Sequence, residues 1–312
     1  MKFSAGLIAG VAAVGFKRLP ADFITFLFLL MNHHANRRVF YSALTLEHLE
    51  DAFYNQGLQL FTLDHFLDAN FTEDFFSSIV TISNDEATHV DFLEKALTAA
   101  GFTPVKPCTY NFEFGDVFDF VLASGGLEGV GVGAYIGAAA SIQQKPFLTA
   151  AASILAIEAR HSAFIRAVSG NAPFPQPFDT PLSPPEVLSL AGQLVIECPS
   201  DNPRLPFVPL PVLKFELTEG QLEIKSGSTI QLSTEAVNPN SYGPIYAAFL
   251  TLTGPIFAEV SWTHYGNLET TVPEGINGQS YVVLTSSNTE VTDDTEIAGP
   301  AVIEVANTVF SG

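Results

Sequence analysis

The chain has 312 residues, a formal net charge of −20 and only 13 Lys and Arg. Such a charge repels phosphate backbones, which excludes nucleic acid as a natural partner and points to cations, neutral small molecules or another protein. With 47% hydrophobic residues and 27 Phe there is ample apolar side chain for a core, and the length exceeds what one core usually fills, so two modest domains are expected.

Residues 1–15 read as a secretory signal peptide. Lys2 supplies a positive charge, Ser4 to Val14 is a short run of small and apolar residues, and Ala13-Val14-Gly15 offers a small-x-small cleavage site. Residues 16–40 are the hardest to read. Their apolar run Phe23 to Met31 is too short for a membrane span, so no transmembrane segment is expected. Two further features fit secretion. Asn70-Phe71-Thr72 is a glycosylation sequon. Cys108 and Cys198 are the only cysteines and are expected to form a disulfide.

Four helical patterns follow, over about residues 38–63, 73–100, 116–143 and 146–170. In the first, Phe40, Leu44, Glu47, Tyr54, Leu58 and Phe61 share a face. The second opens with Thr72 as N-cap and Glu73 and Asp74 in its first turn, and Gly101 follows it. Its inner face is Ile79, Ile82, Glu86, His89, Leu93 and Leu97. The third aligns Val121, Gly125, Glu128, Val132, Tyr135, Ala139 and Ile142. The fourth starts at Pro146, stops at Gly170, and aligns Ala151, Ile154, Glu158, His161, Ile165 and Val168. Between Ala172 and Pro211 lie eleven of the twenty prolines, so 171–211 is a linker with one short helix, from Ser183 to about Ile196. From residue 212 onward, short alternating or β-branched runs between Gly, Asn and Pro predict a small antiparallel β-sandwich over 212–312. The runs include Leu222 to Ile224, Tyr246 to Thr253, Ile256 to Trp262, Tyr281 to Thr285 and Ala301 to Val309. The fold class is therefore α+β and multidomain, a four-helix bundle followed by a linker and a β-rich tail. His264, the one histidine of the tail, reads as structural or exposed.

Each helix carries a carboxylate in the middle of its apolar face. A buried, unpaired carboxylate costs several kcal/mol, so it must be neutralised, paired or bound to metal. The second and fourth helices share a motif, Glu86-Ala-Thr-His89 and Glu158-Ala-Arg-His161, the only two Glu-x-x-His matches in the chain. Residues three apart are neighbours on a helix face, so each pair can reach one ion. The first and third share another, Glu47 and Tyr54 seven residues apart, Glu128 and Tyr135 likewise. The order Glu, Glu-x-x-His, Glu, Glu-x-x-His is that of ferritin-like di-iron and di-manganese bundles. Oxygen and imidazole donors without thiolate suit two iron ions, or manganese. Glu50 and Asp51 are alternatives to Glu47, which is preferred because its tyrosine spacing mirrors that of Glu128. His48 and His65 fall off the inner stripe.

The runs Leu44-Thr-Leu-Glu-His-Leu-Glu-Asp-Ala-Phe-Tyr54, Asn84-Asp-Glu-Ala-Thr-His89, Leu127-Glu-Gly-Val-Gly-Val-Gly-Ala-Tyr135 and Ile157-Glu-Ala-Arg-His161 resemble a ferritin-like family of plant desiccation-related and fungal stress-response and late-sexual-development proteins. The resemblance covers about residues 41–211 well and the tail more loosely, and does not extend before Tyr41. It implies Glu86 and Glu158 as bridging ligands, Glu47 and Glu128 as terminal carboxylates, and one imidazole per metal from His89 and His161. The expected function is a secreted di-iron protein that oxidises ferrous iron or a small substrate with dioxygen or peroxide. Tyr54 and Tyr135 are candidate electron donors, or pack beside the site. The alternative is a non-enzymatic stress or cell-wall protein with a structural metal, or one whose site has been lost.

Overall fold

Local signals set the helix ends. The Thr72 hydroxyl accepts from the Phe75 N–H at 3.1 Å, and the Asp116 carboxylate accepts from the Asp119 N–H at 3.0 Å. Pro146 sits in a first turn. Gly101 and Gly170 follow helix ends at φ of 79° and 82°, where a Cβ would be strained. In this computed structural model, which describes residues 34–205, 207–240, 243–264 and 266–306, the helices are α1 (His34–Leu60), a short α2 (Leu63–Asp68), α3 (Glu73–Ala99), α4 (Val117–Ala139) and α5 (Lys145–Val168). The expected signal peptide and the run Phe23 to Met31 lie outside the described residues.

Helices α1 and α3 pack as one pair and α4 and α5 as another. Two apolar layers cap the bundle. One holds Phe40, Leu44, Leu93, Leu97, Ile142 and Phe147; the other holds Phe53, Ile79, Ile82, Val121, Phe120 and Ile165. Along α1, α3 and α5 the central glutamate lies between residues of the two layers, for example Leu44, Glu47 and Phe53 on α1, or Phe147, Glu158 and Ile165 on α5. The acidic positions are thus sealed from both ends. Part of the Phe excess closes one of these layers, with the Phe53 ring 5.1 to 5.2 Å from those of Phe112, Phe114 and Phe120. Val168, expected on the inner face of α5, is exposed at its last turn, and Arg166 is buried instead.

Helix α4 holds six glycines, a composition that costs about 1 kcal/mol per residue against Ala. Close packing explains several of them. A Cβ on Gly137 would lie 1.8 Å from the Leu182 carbonyl oxygen, and one on Gly133 2.9 Å from that of Thr180. The linker therefore runs directly against the helix, and the Leu182 N–H donates to the Gly133 carbonyl at 3.0 Å. Although α4 is long and apolar enough to cross a membrane, here it is a core helix of the bundle and carries the buried Glu128.

In the linker, α6 (Pro184–Gly192) begins with a capping box between Ser183 and Glu186. It ends earlier than expected. The β-branched Val195 and Ile196 belong instead to a strand, β2 (Val195–Glu197), antiparallel to β1 (Thr109–Tyr110). Immediately beside this ribbon Cys108 and Cys198 form the expected disulfide.

The tail is antiparallel: β3 (Lys214–Leu217), β4 (Thr229–Ser233), β5 (Tyr246–Phe249), β6 (Ile256–Trp262), β7 (Leu268–Thr271), β8 (Gly278–Thr285) and β9 (Glu296–Val305), in the order β3-β4-β7-β6-β5-β8-β9. The first half of β6 pairs with β5 and its second half with β7. Strands on both sides of β6 contribute to one core that includes Ile230, Leu232, Phe249, Leu268, Val282 and Ile303. Leu222 to Ile224, expected as a strand, makes only a single bridge from Ile224 to Val305.

The tail docks on the bundle. Leu46, Leu49 and Val130 share an apolar cluster with Ala248, Leu250 and Val283. The Tyr281 hydroxyl donates to the Gly129 carbonyl at 2.8 Å and the Gln279 amide to that of Gly126 at 2.9 Å. Arg166 of α5 forms a two-pronged pair with Glu304 of β9, at 2.8 and 2.7 Å.

Candidate metal centre

The four glutamates predicted from the sequence meet at the bundle centre, and each is at most 1% exposed. Ligand-capable atoms form two sets, each with every atom within 4.8 Å of the others: Glu47, Glu86, His89 and Glu158, and Glu86, Glu128, Glu158 and His161. Glu86 and Glu158 are common to both, which is the arrangement that two bridging carboxylates need. His89 Nδ1 lies 3.2 Å from Glu47, 3.0 Å from Glu86 and 3.4 Å from Glu158. His161 Nδ1 lies 3.0 Å from Glu86 and 3.2 Å from Glu128. The two Glu-x-x-His turns thus present matched atoms, with one Glu86 oxygen toward each imidazole.

Several of these atoms have no hydrogen-bond partner although they are sealed from water: Glu86 Oε1, Glu128 Oε2, both oxygens of Glu158 and His161 Nδ1. His161 Nδ1 and Glu86 Oε1 are close, yet not aligned as donor and acceptor. Native proteins rarely leave buried polar groups orphaned, and here the orphans converge. Two divalent cations would satisfy them and balance the four carboxylate charges, so the residues present fit a two-metal site.

The tyrosines are cross-paired. Tyr54 of α1 donates to Glu128 of α4, and Tyr135 of α4 donates to Glu47 of α1. The shared seven-residue spacing has this cause, since each tyrosine sits two turns along its helix, opposite the partner helix's glutamate. Both phenols are buried, and burial together with the facing carboxylates pushes their pKa well above the usual value.

Electrostatics bear the mark of crowded carboxylates. Burial opposes charge on both imidazoles. Contacts with Glu158, Glu47 and Glu86 nevertheless raise His89 from 6.5 to about 12, and Glu128 and Glu86 raise His161 to about 11. Glu86 is held down to about 2 in spite of burial, by the His161 and His89 rings close beside it. Burial lifts Glu47 to about 7 and, joined by neighbouring carboxylates, pushes Glu158 and Glu50 well above the carboxylate range. Without cations the cluster is held together by protons on its imidazoles.

Of the alternatives, Asp51 is half-buried and accepts from Asn55 at 2.8 Å. Glu50 is buried beside the cluster but belongs to neither ligand set. His48 bonds the Val105 carbonyl at 3.0 Å and His65 closes a capping box at Thr62, so both lie outside the cluster. Sequence reasoning missed Asp85, whose carboxylate meets His161 Nε2 at 3.2 Å and orients the ring. Its position next to Glu86 was the available signal.

A helical bundle whose centre gathers four carboxylates and two imidazoles defines the ferritin-like class, and residues 35–171 match the model of the ferritin-like domain. Among curated proteins the chain is similar to Protein rds1 of Schizosaccharomyces pombe, 24% identical over 253 residues, which cover 79% of this chain and 59% of that protein. The match thus spans about three fifths of the relative's length.

Proposed function

We propose that the cluster holds two metal ions, iron or manganese, and that the protein is a secreted two-metal oxidase acting with dioxygen or peroxide on ferrous iron or a small organic substrate. The observation that carries this reading is the set of orphaned, converging oxygens and nitrogen at the bundle centre. Glu86 and Glu158 would be shared by both ions, Glu47 and His89 would complete one position, and Glu128 and His161 the other. Metals held there supply one-electron redox chemistry at two adjacent positions. The chain's own groups do the rest. Tyr54 and Tyr135 fix the terminal carboxylates through hydrogen bonds, Asp85 orients the His161 ring, and the two apolar layers exclude water. The phenols are also near enough to pass an electron, but their high pKa favours the neutral donor that holds a carboxylate in place.

An organic substrate is favoured by a specific feature. An apolar cavity of about 340 Å³ reaches Tyr135, between Phe40, Leu93, Phe147, Ile154 and Leu182. The Cys108–Cys198 disulfide and the exposed turn position of Asn70 in its sequon support an extracellular or cell-wall setting. The family resemblance supports a role in stress or development.

The test is metal analysis of purified protein after anaerobic exposure to ferrous iron, followed by an absorption spectrum and oxygen uptake. About two ions per chain and oxygen consumption are expected. Two ions without oxygen uptake would leave a structural metal protein, and no bound metal would refute the site.

A further inference from the structure

Glu50 stands apart from the other buried acids. It is 3% exposed and accepts no hydrogen bond from any described residue, yet it is not in either ligand set. One turn beyond Glu47 on α1, it faces α4 at Gly131. A Cβ at Gly131 would lie 2.9 Å from Glu50 Oε1 and 2.8 Å from Glu158 Oε2. The two carboxylates therefore border the same small gap, which only the missing side chain of Gly131 keeps open.

On its other side Glu50 lines a surface pocket of about 560 Å³ between α1, α4, α6 and the segment before α4. The walls are apolar, formed by Phe53, Phe112, Leu127 and Leu194. Glu113 stands exposed at the rim. A carboxylate at the rim, a largely apolar passage that also carries Asn111 and Gln193, and a buried carboxylate at the end form a path with an acid at each end. A second pocket, of about 640 Å³, reaches His89 from another direction, but it is lined by Lys145 and by no carboxylate. A cation would be repelled there, whereas the first pocket draws one in from a surface of strongly negative charge.

We propose that the pocket ending at Glu50 is the entry route for divalent cations, and that Glu50 is the relay carboxylate that hands them across the Gly131 gap to Glu158. This rests on the two-metal reading above. It assigns Glu50 a part in filling the site and none in holding the final ions.

The test uses the full chain, stripped of metal, mixed with cobalt(II) in a stopped-flow instrument. Ligand-field absorption gives the loading rate, and metal analysis gives the final content. Glu50→Gln keeps the shape of the side chain and removes the carboxyl group that would ionise to take a cation. Ala123→Trp places a ring at an exposed pocket-lining position. Both should slow loading on the order of tenfold or more, the scale on which focused charge alters on-rates, while final content stays at the wild-type level. Ser153→Trp, at an exposed position in the pocket that reaches His89, should leave the rate unchanged. Loading of Glu50→Gln and Ala123→Trp at the wild-type rate overturns the route while leaving the metal site intact. A lowered final content in Glu50→Gln makes Glu50 a ligand and overturns the relay. A wild-type chain that takes up no cobalt overturns both the route and the two-metal reading.

Discussion

Glu158 keeps both carboxylate oxygens away from solvent with no hydrogen-bond donor to satisfy them, and the shared cation proposed there would supply what they lack. The roles proposed for the six ligands therefore predict unequal effects. Glu158→Ala and Glu86→Ala remove a shared ligand, so both metal positions should weaken together. Glu47→Ala and Glu128→Ala should mainly empty one, and Glu50→Ala should retain the full load. Metal content per chain after excess ferrous iron distinguishes these outcomes, and full content in Glu158→Ala with loss in Glu50→Ala would reverse the assignment. Protons offer an independent check. The folded values of His89 and His161, about 12 and about 11, lie above the ordinary 6.5. Their contribution to metal-free stability is complete below about 6.5 and is lost as the pH rises through 11 to 12. At neutral pH both rings carry a proton that an incoming metal must displace. Metal binding should therefore release at least these two protons and weaken as the pH falls. Calorimetry in buffers of different ionisation enthalpy measures that release, and binding without it would contradict the protonated imidazoles.

At the scale of the element, α4 is a poor helix by composition and an indispensable one by position. Two substitutions separate these properties. Gly126→Ala meets nothing within 4 Å, so it should gain up to about 1 kcal/mol from helix propensity. Gly137→Ala gains the same propensity but drives its Cβ to 1.8 Å from the Leu182 carbonyl oxygen. Overpacking of this kind costs about 1–3 kcal/mol even where side chains can yield, and here backbone would have to move. The clash should win, and denaturant unfolding should give the two variants opposite signs.

For the whole molecule, the decisive contacts join parts that are far apart in sequence. Arg166 is 7% exposed and holds Glu304 of the last strand with both prongs of its guanidinium. Arg166→Ala should cost about 2 kcal/mol, the range for a hydrogen-bonded charged group, and should loosen the tail before the bundle. Amide exchange can read that order, and equal loss of protection in both would argue against it. The disulfide closes a separation of 90 residues. Its loss in Cys108→Ser with Cys198→Ser should destabilise by up to about 4–5 kcal/mol in the chain-entropy model. Thiol titration of the denatured, unreduced protein should find no free thiol.

The sequence alone determined the pattern of carboxylates and imidazoles and the bundle that carries it, because both rest on local geometry. A residue and its neighbour three positions on share a helix face in any fold, so Glu86 with His89 and Glu158 with His161 were legible from their spacing, as were the helix ends at Thr72, Asp116 and Pro146 from their residue types. The cysteine pair was legible because a two-cysteine chain has only one intrachain pairing. What depends on the register between elements was not. Glu47 and Glu50 are both buried on one helix, and only the packing of α1 against α3 and α4 decides which of them reaches the cluster. The crossed tyrosine bonds, the meeting of Arg166 with Glu304, and the place of Gly133 and Gly137 under the linker and of Gly129 under the tail were likewise settled by tertiary structure. Each joins residues whose spacing in sequence carries no information about their distance in space.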